Sequence, residues 1–276
     1  MRLPLVPLLL LLLTACGGDP GGAGPTAADP SSSPPTVTAP SPESTTTPTS
    51  ALTAVPPPAP APPPPAAAPT GLPGVARVTV PGGSDQVLLV TADGWSTSHA
   101  TLRALERDGD AWTTVLEVPA RLGSRGLAVA AERVQGSRTT PAGMFPLTSA
   151  FGREDDPGTA LPYTVVGPEH WWVGDPASPH YNEMRLTSQG GFEPAAPSEH
   201  LVDYDPQYDH AVVIDFNRPD PVPGRGAAIF LHVNGSGATA GCVSIPEADL
   251  EQVMRWLDPA RSPVSVIGPT DWLASS

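Results

Sequence analysis

Residues 226–246 decide the fold of this chain, and they read G-A-A-I-F-L-H-V-N-G-S-G-A-T-A-G-C-V-S-I-P. Ala228–Val233 is apolar and rich in residues that favour strands, which predicts a buried strand with His232 near its end. Three glycines fall within Asn234–Gly241, so the chain is predicted to turn there. Cys242 follows this turn directly.

A helix is predicted immediately after Cys242. Ser244 and Glu247 fit a capping box, with Ser244 as the N-cap. The helix is predicted over Pro246–Leu257, where apolar residues recur at helical spacing: Leu250, Val253, Met254 and Leu257. On this interpretation Cys242 lies just before a helix N-terminus, an environment that lowers the pKa of a thiol.

The same stretch is typical of a nucleophilic site. A hairpin-like return after the strand is expected to bring the His232 imidazole within hydrogen-bond reach of the Cys242 sulfur. Cys242 is then the candidate nucleophile, His232 the candidate general base and acid, and the backbone amide of Gly241 a candidate oxyanion donor. The alternative is that Cys242 is an ordinary buried apolar residue and His232 an ordinary core or surface histidine.

The N-terminal residues have the pattern of an export signal. Residues 1–15 contain Arg2, an apolar run and small residues at the end, and the run is too short to span a membrane. Leu13–Cys16 is similar to the lipobox of bacterial lipoproteins, which implies cleavage before Cys16 and lipidation of that residue. The chain contains two cysteines, so lipidation of Cys16 leaves Cys242 without a partner, and an unpaired thiol in an exported protein is a candidate reactive group.

Residues 16–72 are dominated by Pro, Ala, Thr, Ser and Gly and predict a disordered tether. Residues 73–276 are long enough for one domain with a sizeable core. The net charge of the chain is −14, and almost all of its charged residues fall in this domain. An acidic domain argues against nucleic acid as a partner, and we expect a monomer.

The domain is predicted to be mainly β with one short C-terminal helix. Ser98–Arg107 fits either a strand or a short helix, and Pro141–Gly143 is predicted to turn before a short strand. The tryptophans in Pro168–Glu199 indicate either a satellite core or the wall of a groove. The segments with strand character are Val75–Val80, Gln86–Thr91, Ala111–Val118, Leu127–Ala130, Tyr163–Val166, Ala211–Phe216 and Pro263–Ile267.

Several of these motifs together resemble one family. The stretches Phe230–His232 and Thr239–Val243 are similar to the active-site motif of the YkuD-type L,D-transpeptidases, the ErfK/YbiS/YcfS/YnhG-like cell-wall enzymes. Thr140–Phe145 resembles the Thr-Pro-x-Gly-x-Phe element of that family, and Trp172–Pro176 with Tyr181-Asn182 resembles a secreted subgroup. The similarity spans about residues 135–269. Two features depart from the family pattern: Ala240 stands where a histidine is usual, and the spacer from His232 to Cys242 is short.

The resemblance implies a β-sandwich fold and acyl transfer at peptidoglycan, without a metal or cofactor. Cys242 would attack the meso-diaminopimelate carbonyl of a tetrapeptide stem, release D-Ala and transfer the acyl group to an amine, giving a 3→3 crosslink. We expect the substrate to contact five residues, of which Tyr208 and His210 are candidates to fill the space beside Ala240: Trp171, Trp172, Tyr208, His210 and Thr239. The expected location is the outer face of the cytoplasmic membrane, with the domain reaching the cell wall.

Three other functions stay open from the sequence. With water as the acceptor, the same site would be an L,D-carboxypeptidase. A metallopeptidase would use His200, His210 and His232, although no ligand spacing such as HExxH supports it. In a non-catalytic wall-binding lipoprotein the tryptophan-rich loops would bind glycan or stem peptide, and Cys242 would be idle.

Overall fold

A computed structural model describes residues 70–276 of the chain, and these residues are mainly β. The strands are β1 Thr70–Leu72, β2 Val75–Val80, β3 Gln86–Ala92, β4 His99–Asp108, β5 Ala111–Arg121, β6 Leu127–Val129, β7 Thr140–Gly152, β8 Tyr163–Val165, β9 His170–Trp172, β10 Met184–Leu186, β11 Glu199–His200, β12 Ala211–Ile214, β13 Phe230–Val233, β14 Val243–Ile245 and β15 Val264–Pro269. The α-helices are α1 Glu247–Trp256 and α2 Thr270–Ala274. Short 3-10 helices cover Ala130–Glu132, Thr187–Gln189, Leu201–Asp203 and Pro259–Arg261.

The predicted signal segment, Cys16 and most of the predicted tether lie outside the described residues. The last three tether residues are the exception, because Thr70–Leu72 forms β1 and pairs with β2. The folded unit therefore includes residues that the sequence pattern assigned to the tether.

One large sheet organises the fold and closes on itself through β7. Its strands follow the order β12, β13, β14, β5, β4, β3, β15, β7 and β6, and β8 also pairs with β7. The first part of β7 pairs with β15 and its last part pairs with β12, the first strand of the path. The closed path surrounds a core that includes Leu102, Leu122 and Leu231.

Strand β3 is buried on both faces, which explains its unbroken apolar sequence. Leu88 and Val90 face the main core, and Val87 and Leu89 face a second one. The second core is covered by β1, β2 and α2, which supply Leu72, Val80 and Leu273. A third cluster is aromatic and contains Phe151, Trp172, Tyr208 and Phe230 together with Cys242.

The mainly β prediction is confirmed, and each segment with strand character contains a strand. Ser98–Arg107, which the pattern left undecided, is strand β4, paired with β3 on one side and β5 on the other. The predicted turn at Pro141–Gly143 is wrong. Those residues belong to the long strand β7, because Thr140–Ala142 pairs in parallel with Leu127–Val129 and is held extended.

Helix α1 is confirmed, but its predicted cap is wrong. Pro246 occupies the N-cap position without a side-chain hydrogen bond, and Ser244 lies within β14. The Ser244 hydroxyl donates to the Asn234 side-chain oxygen (2.8 Å) and does not cap the helix. Ser244 is part of β14, which pairs with β13, so it is not available as the N-cap that the local pattern predicts. The predicted apolar face is buried as expected: Leu250, Val253, Met254 and Leu257.

Neither α1 nor α2 has the length and apolar character needed to cross a membrane, and the same holds for every helix in residues 70–276.

Candidate active site

The site is built on two parallel strands. Leu231 of β13 lies opposite Val243 of β14, and His232 lies opposite Ser244. Residues 234–242 must therefore carry the chain back along β13 before β14 begins. The predicted hairpin-like return is wrong, because a hairpin joins antiparallel strands. Cys242 immediately precedes β14 and lies level with Phe230, two residues before His232.

The Cys242 sulfur is buried against the backbone that leads into β13. The residue is 6% exposed, and Sγ donates to the Ala228 carbonyl (3.4 Å) and accepts from the Phe230 N–H (3.4 Å). Burial and the charge of Glu199 raise the pKa of the thiol to about 12, against a lowering influence from the Phe230 N–H and Arg133. The expected lowering by a helix N-terminus is wrong, because β14 separates Cys242 from α1.

Two threonine hydroxyls hold the backbone of Cys242. The Thr140 hydroxyl donates to the Cys242 carbonyl (3.1 Å), and the Thr239 hydroxyl donates to the same oxygen (2.8 Å). Thr140 is fully buried, and its oxygen also accepts from the Gly123 N–H (2.8 Å). Thr140 therefore fixes the position of the candidate nucleophile through the main chain. Among the described residues, no hydrogen bond joins Thr140 to the Cys242 sulfur.

The His232 imidazole is neutral and held in one tautomer. Nδ1 lies 2.7 Å from the Val233 carbonyl, which can only accept, so Nδ1 carries the proton and Nε2 is the basic nitrogen. Burial lowers the pKa of His232 to about 4, and the Val233 carbonyl opposes this shift. Within the described residues no hydrogen bond joins Nε2 to the Cys242 sulfur, which is bound to backbone groups instead.

An acidic residue lies close to this pair. The Tyr208 hydroxyl donates to a Glu199 carboxylate oxygen (2.6 Å), and the Tyr208 ring meets the His232 ring edge-on, with centroids 5.6 Å apart. Burial raises the pKa of Glu199 to about 7, and the hydrogen bond from Tyr208 opposes that change. Glu199 therefore gains its charge near neutral pH, where that charge acts on the Cys242 thiol.

Cys242 and His232 line a common cavity of about 580 Å³. Three further predicted residues line it as well, namely Gly241, Thr239 and Tyr208. The Gly241 amide, predicted as an oxyanion donor, donates to the Thr239 hydroxyl (3.1 Å), so it must leave that acceptor before it can serve an oxyanion. Two cavity residues that the sequence patterns did not single out are Glu199 and Arg133.

Three predicted substrate contacts lie outside this cavity. Trp172 belongs to the aromatic core, where its indole N–H donates to the Asn182 side-chain oxygen (2.9 Å). Trp171 stacks on His200, with ring centroids 4.6 Å apart. His210 is buried, and its Nε2 lies 3.3 Å from the Asp155 carbonyl. Trp172 therefore belongs to a satellite core, while other residues of the same segment, such as Gly174 and Glu199, line the cavity.

The histidines do not assemble as the metallopeptidase interpretation requires. In residues 70–276 the group with metal-binding spacing consists of His210, Glu247 and Glu251, whose ligand atoms lie within 4.8 Å of one another. His200 and His232 are not part of it. None of its three members lines the cavity that contains Cys242.

The residues that sequence reasoning missed had weak local signals. Arg133 follows a 3-10 turn and lines the cavity next to Gly241, which is distant from it in sequence. Glu199 stands at the end of the tryptophan-rich segment, whose composition indicated a core or groove without identifying an acidic cavity residue.

The site lies within a stretch of sequence that matches a known family. The sequence pattern of the YkuD family, described as the L,D-transpeptidase catalytic domain, matches residues 95–266, which is more than half of the chain. The chain belongs to the YkuD family. The match includes both strands of the site, the Thr140 element and Glu199, so the YkuD domain contains the whole constellation described above.

Other comparisons add little to the YkuD assignment. No curated protein matches the chain. Among solved structures, Bd1075 of Bdellovibrio bacteriovorus is 16% identical, with a TM-score of 0.36, over 67% of this chain and 48% of that one. The chain thus spans about half the length of that protein.

Thr140→Val should destabilise this YkuD domain while preserving its volume. The substitution leaves the buried Gly123 N–H without its acceptor and removes one of two donors to the Cys242 carbonyl. We expect a loss of about 1–3 kcal/mol in the free energy of unfolding, measured by urea titration. Thr148→Val on the same strand removes an exposed hydroxyl and should cost less than about 0.5 kcal/mol. Equal losses in the two variants would contradict the role given to Thr140.

Glu199→Gln should make the Cys242 thiol more reactive above pH 7. The Glu199 carboxylate raises the pKa of Cys242, and glutamine removes the charge while keeping an oxygen that accepts from Tyr208. Wild type carries this charge only above the Glu199 pKa of about 7. Iodoacetamide labelling of Cys242, followed by peptide mass spectrometry, should therefore be several-fold faster in the variant at pH 8–10 and similar at pH 6.

The exposed residue Glu193 provides a matched control, and Glu193→Gln should label like wild type. Parallel pH profiles for wild type and Glu199→Gln would show that the charge does not reach the sulfur.

Proposed function

We propose that this chain is a cell-wall L,D-transpeptidase in which Cys242 is the nucleophile and His232 carries the proton. The proposal rests chiefly on one observation: both side chains line a single cavity, and the Val233 carbonyl fixes His232 in the tautomer whose Nε2 is basic. Membership of the YkuD family supplies the reaction class. The motif in Phe230–His232 and Thr239–Val243 supports assignment to the ErfK/YbiS/YcfS/YnhG-like enzymes.

Acylation begins from a neutral thiol and a neutral imidazole. With pKa values of about 12 for Cys242 and about 4 for His232, a resting thiolate–imidazolium pair is strongly disfavoured. The thiol turns from the Ala228 carbonyl to His232 Nε2 and gives up its proton as sulfur attacks the carbonyl carbon of the diamino acid. Negative charge then passes to the substrate oxygen and does not stay on buried sulfur.

The tetrahedral intermediate collapses by expelling D-Ala. His232 returns the proton from Nε2 to the leaving amine, and a thioester joins Cys242 to the donor stem. The side-chain amine of a second stem then attacks the thioester and gives its proton to His232, which passes it to the Cys242 sulfur as the carbon–sulfur bond breaks. The products are a new amide bond, the 3→3 crosslink, and the free Cys242 thiol.

We propose that the enzyme is an exported lipoprotein whose tether carries the domain to peptidoglycan stem peptides. Leu13–Cys16 at the end of an apolar run supports cleavage of residues 1–15 and lipidation of Cys16. Acyl chains on that residue would anchor the protein to the outer face of the cytoplasmic membrane. The composition of residues 16–69 supports a tether between this anchor and the folded unit.

The activity can be tested with a purified muropeptide that carries a tetrapeptide stem. Wild type should form a crosslinked dimer and release D-Ala, measured by mass spectrometry. Cys242→Ala should form no product, and His232→Ala should be slower by about 10²- to 10⁴-fold. The exposed residue His99 provides the control, since His99→Ala should keep wild-type turnover.

The products also separate the other interpretations. Tripeptide without dimer would identify an L,D-carboxypeptidase, because water would then be the acceptor. Binding of the muropeptide without any product would favour a wall-binding lipoprotein. Turnover that persists in Cys242→Ala would contradict the role proposed for the thiol.

Cys16→Ser should release the protein from the membrane, because a serine at this position lacks the thiol that is lipidated. Fractionation of the producing cells, followed by immunoblotting, should show the variant in the soluble exported fraction. Cys242→Ser replaces the other cysteine of the chain and should leave the protein with the membrane. Identical fractionation of wild type and Cys16→Ser would contradict the lipoprotein proposal.

A further inference from the structure

Arg133 is a buried cation without an acidic partner in the described part of the chain. The residue is only 6% exposed, and burial lowers the pKa of its guanidinium, against smaller raising influences from Cys242 and Tyr181. Its hydrogen bonds go to neutral backbone oxygens, and no carboxylate in residues 70–276 forms an ion pair with it. Desolvating a guanidinium is costly unless an anion compensates it, so the residue is suited to an anion from outside the protein.

The guanidinium is held rigidly by the protein. Nε donates to the Thr139 carbonyl (2.8 Å), and Nη1 donates to the Arg225 carbonyl (3.1 Å). The Cζ atom lies 5.4 Å from the centre of the Phe216 ring, in cation–π geometry. These contacts fix the plane of the fork and reduce the side-chain entropy that ligand binding would otherwise cost.

The remaining nitrogen, Nη2, lies beside the nucleophile loop. It donates no hydrogen bond to residues 70–276, and it belongs to a residue that lines the cavity. A Cβ atom built on Gly241 would lie 2.8 Å from Nη2 and 3.0 Å from the Thr139 carbonyl, at a backbone φ of +148°. Gly241 therefore allows the guanidinium to approach the residue directly before Cys242.

We propose that Arg133 forms a carboxylate-binding subsite next to Cys242, which selects stems whose leaving residue has a free terminal carboxylate. This inference rests on the proposed function for the identity of the substrate. In a stem peptide the carboxylate carbon of the leaving residue is separated from the attacked carbonyl carbon by one nitrogen and one Cα, roughly 4 Å in all. A guanidinium beside Gly241 is suitably placed for that group, with charge-assisted hydrogen bonds of the kind that favour arginine for carboxylates.

The charged residues that line the cavity favour an anion beside Arg133. Glu199 also lines the cavity and carries a negative charge above pH 7, so a carboxylate beside it would be repelled. Arg138 lines the same cavity but is exposed, so its charge is screened by solvent. The side-chain carboxylate of the diamino acid is a second source of the same chemistry, and the test below distinguishes the two sources.

The test compares three tetrapeptide-stem substrates in wild type. One has both carboxylates free, one has a C-terminal carboxamide, and one has the side-chain carboxylate of the diamino acid amidated. We expect kcat/KM to fall about 10- to 100-fold for the C-terminal carboxamide, mainly through KM, and to change little for the third substrate. A loss confined to the third substrate would assign Arg133 to the diamino acid carboxylate instead.

Arg133→Met should abolish this discrimination, so that acid and carboxamide substrates react equally slowly. Arg133→Lys retains the charge without the planar fork and should restore part of the preference. The exposed residue Arg125 lies outside the cavity, and Arg125→Met should keep the full discrimination. Equal rates for all three substrates in wild type, or full discrimination in Arg133→Met, would overturn the subsite.

A binding measurement separates the subsite from the catalytic proposal. Calorimetric titration of Cys242→Ala with the acid and carboxamide peptides requires no turnover. Tighter binding of the acid, lost in the double variant with Arg133→Met, would support the subsite even if wild type forms no product. Equal affinities would overturn the subsite, whether or not wild type is active.

Discussion

The parallel pairing of β13 with β14 is the constraint on which the site depends. Its register sets Leu231 opposite Val243, which leaves Cys242 level with Phe230 and places His232 two residues further along the same strand. Side chains two residues apart on a strand share a face, so the thiol and the imidazole open on one cavity although nine residues lie between them in sequence. Shifting the register by one residue would turn Cys242 to the opposite face and separate the pair.

The candidate nucleophile, Cys242, is positioned through its backbone, while burial limits the reactivity of its thiol. Thr140 and Thr239 hold the Cys242 carbonyl, and Ala228 and Phe230 hold its sulfur in the resting state. Burial keeps the thiol protonated and the imidazole neutral, which differs from sites that store a thiolate beside a protonated histidine. A buried, protonated thiol is also less prone to oxidation, because oxidation follows thiolate character and exposure.

The sequence predicted the elements whose own pattern of apolar residues shows which faces are buried. Strand β3 could be predicted because both of its faces are apolar. Helix α1 could be predicted because apolar residues occupy one of its faces. The prediction failed where long-range pairing outweighs a local signal. Ser244 and Glu247 form a valid capping pattern, yet Ser244 belongs to a three-residue strand that exists only because β13 lies beside it.

The residues of the candidate site divide in the same way, into those with a local sequence signal and those placed by long-range folding. The candidate nucleophile and base, with Thr239 and Gly241, were predicted from one short stretch of sequence, and Tyr208 was predicted as a residue that fills the space beside Ala240. Arg133 and Glu199 were not found, because each reaches the cavity from a segment distant in sequence and has no periodicity of its own. Trp171 and Trp172 were predicted as substrate contacts because they are large aromatic residues. In the structure Trp171 stacks on His200, and the Trp172 indole N–H donates to Asn182.

The cover of the second core has a consequence for the ends of the folded unit. Leu72 and Leu273 pack in the same cluster, and the Arg77 guanidinium donates to the Trp272 carbonyl (2.8 Å) and to the Ser275 hydroxyl (2.6 Å). The first and last elements therefore meet on one surface, and none of these residues lines the cavity that contains Cys242. Closely spaced termini are the condition for circular permutation, so a short linker from Ser276 to Thr70 would let new ends be opened in an exposed loop without disturbing β13 and β14.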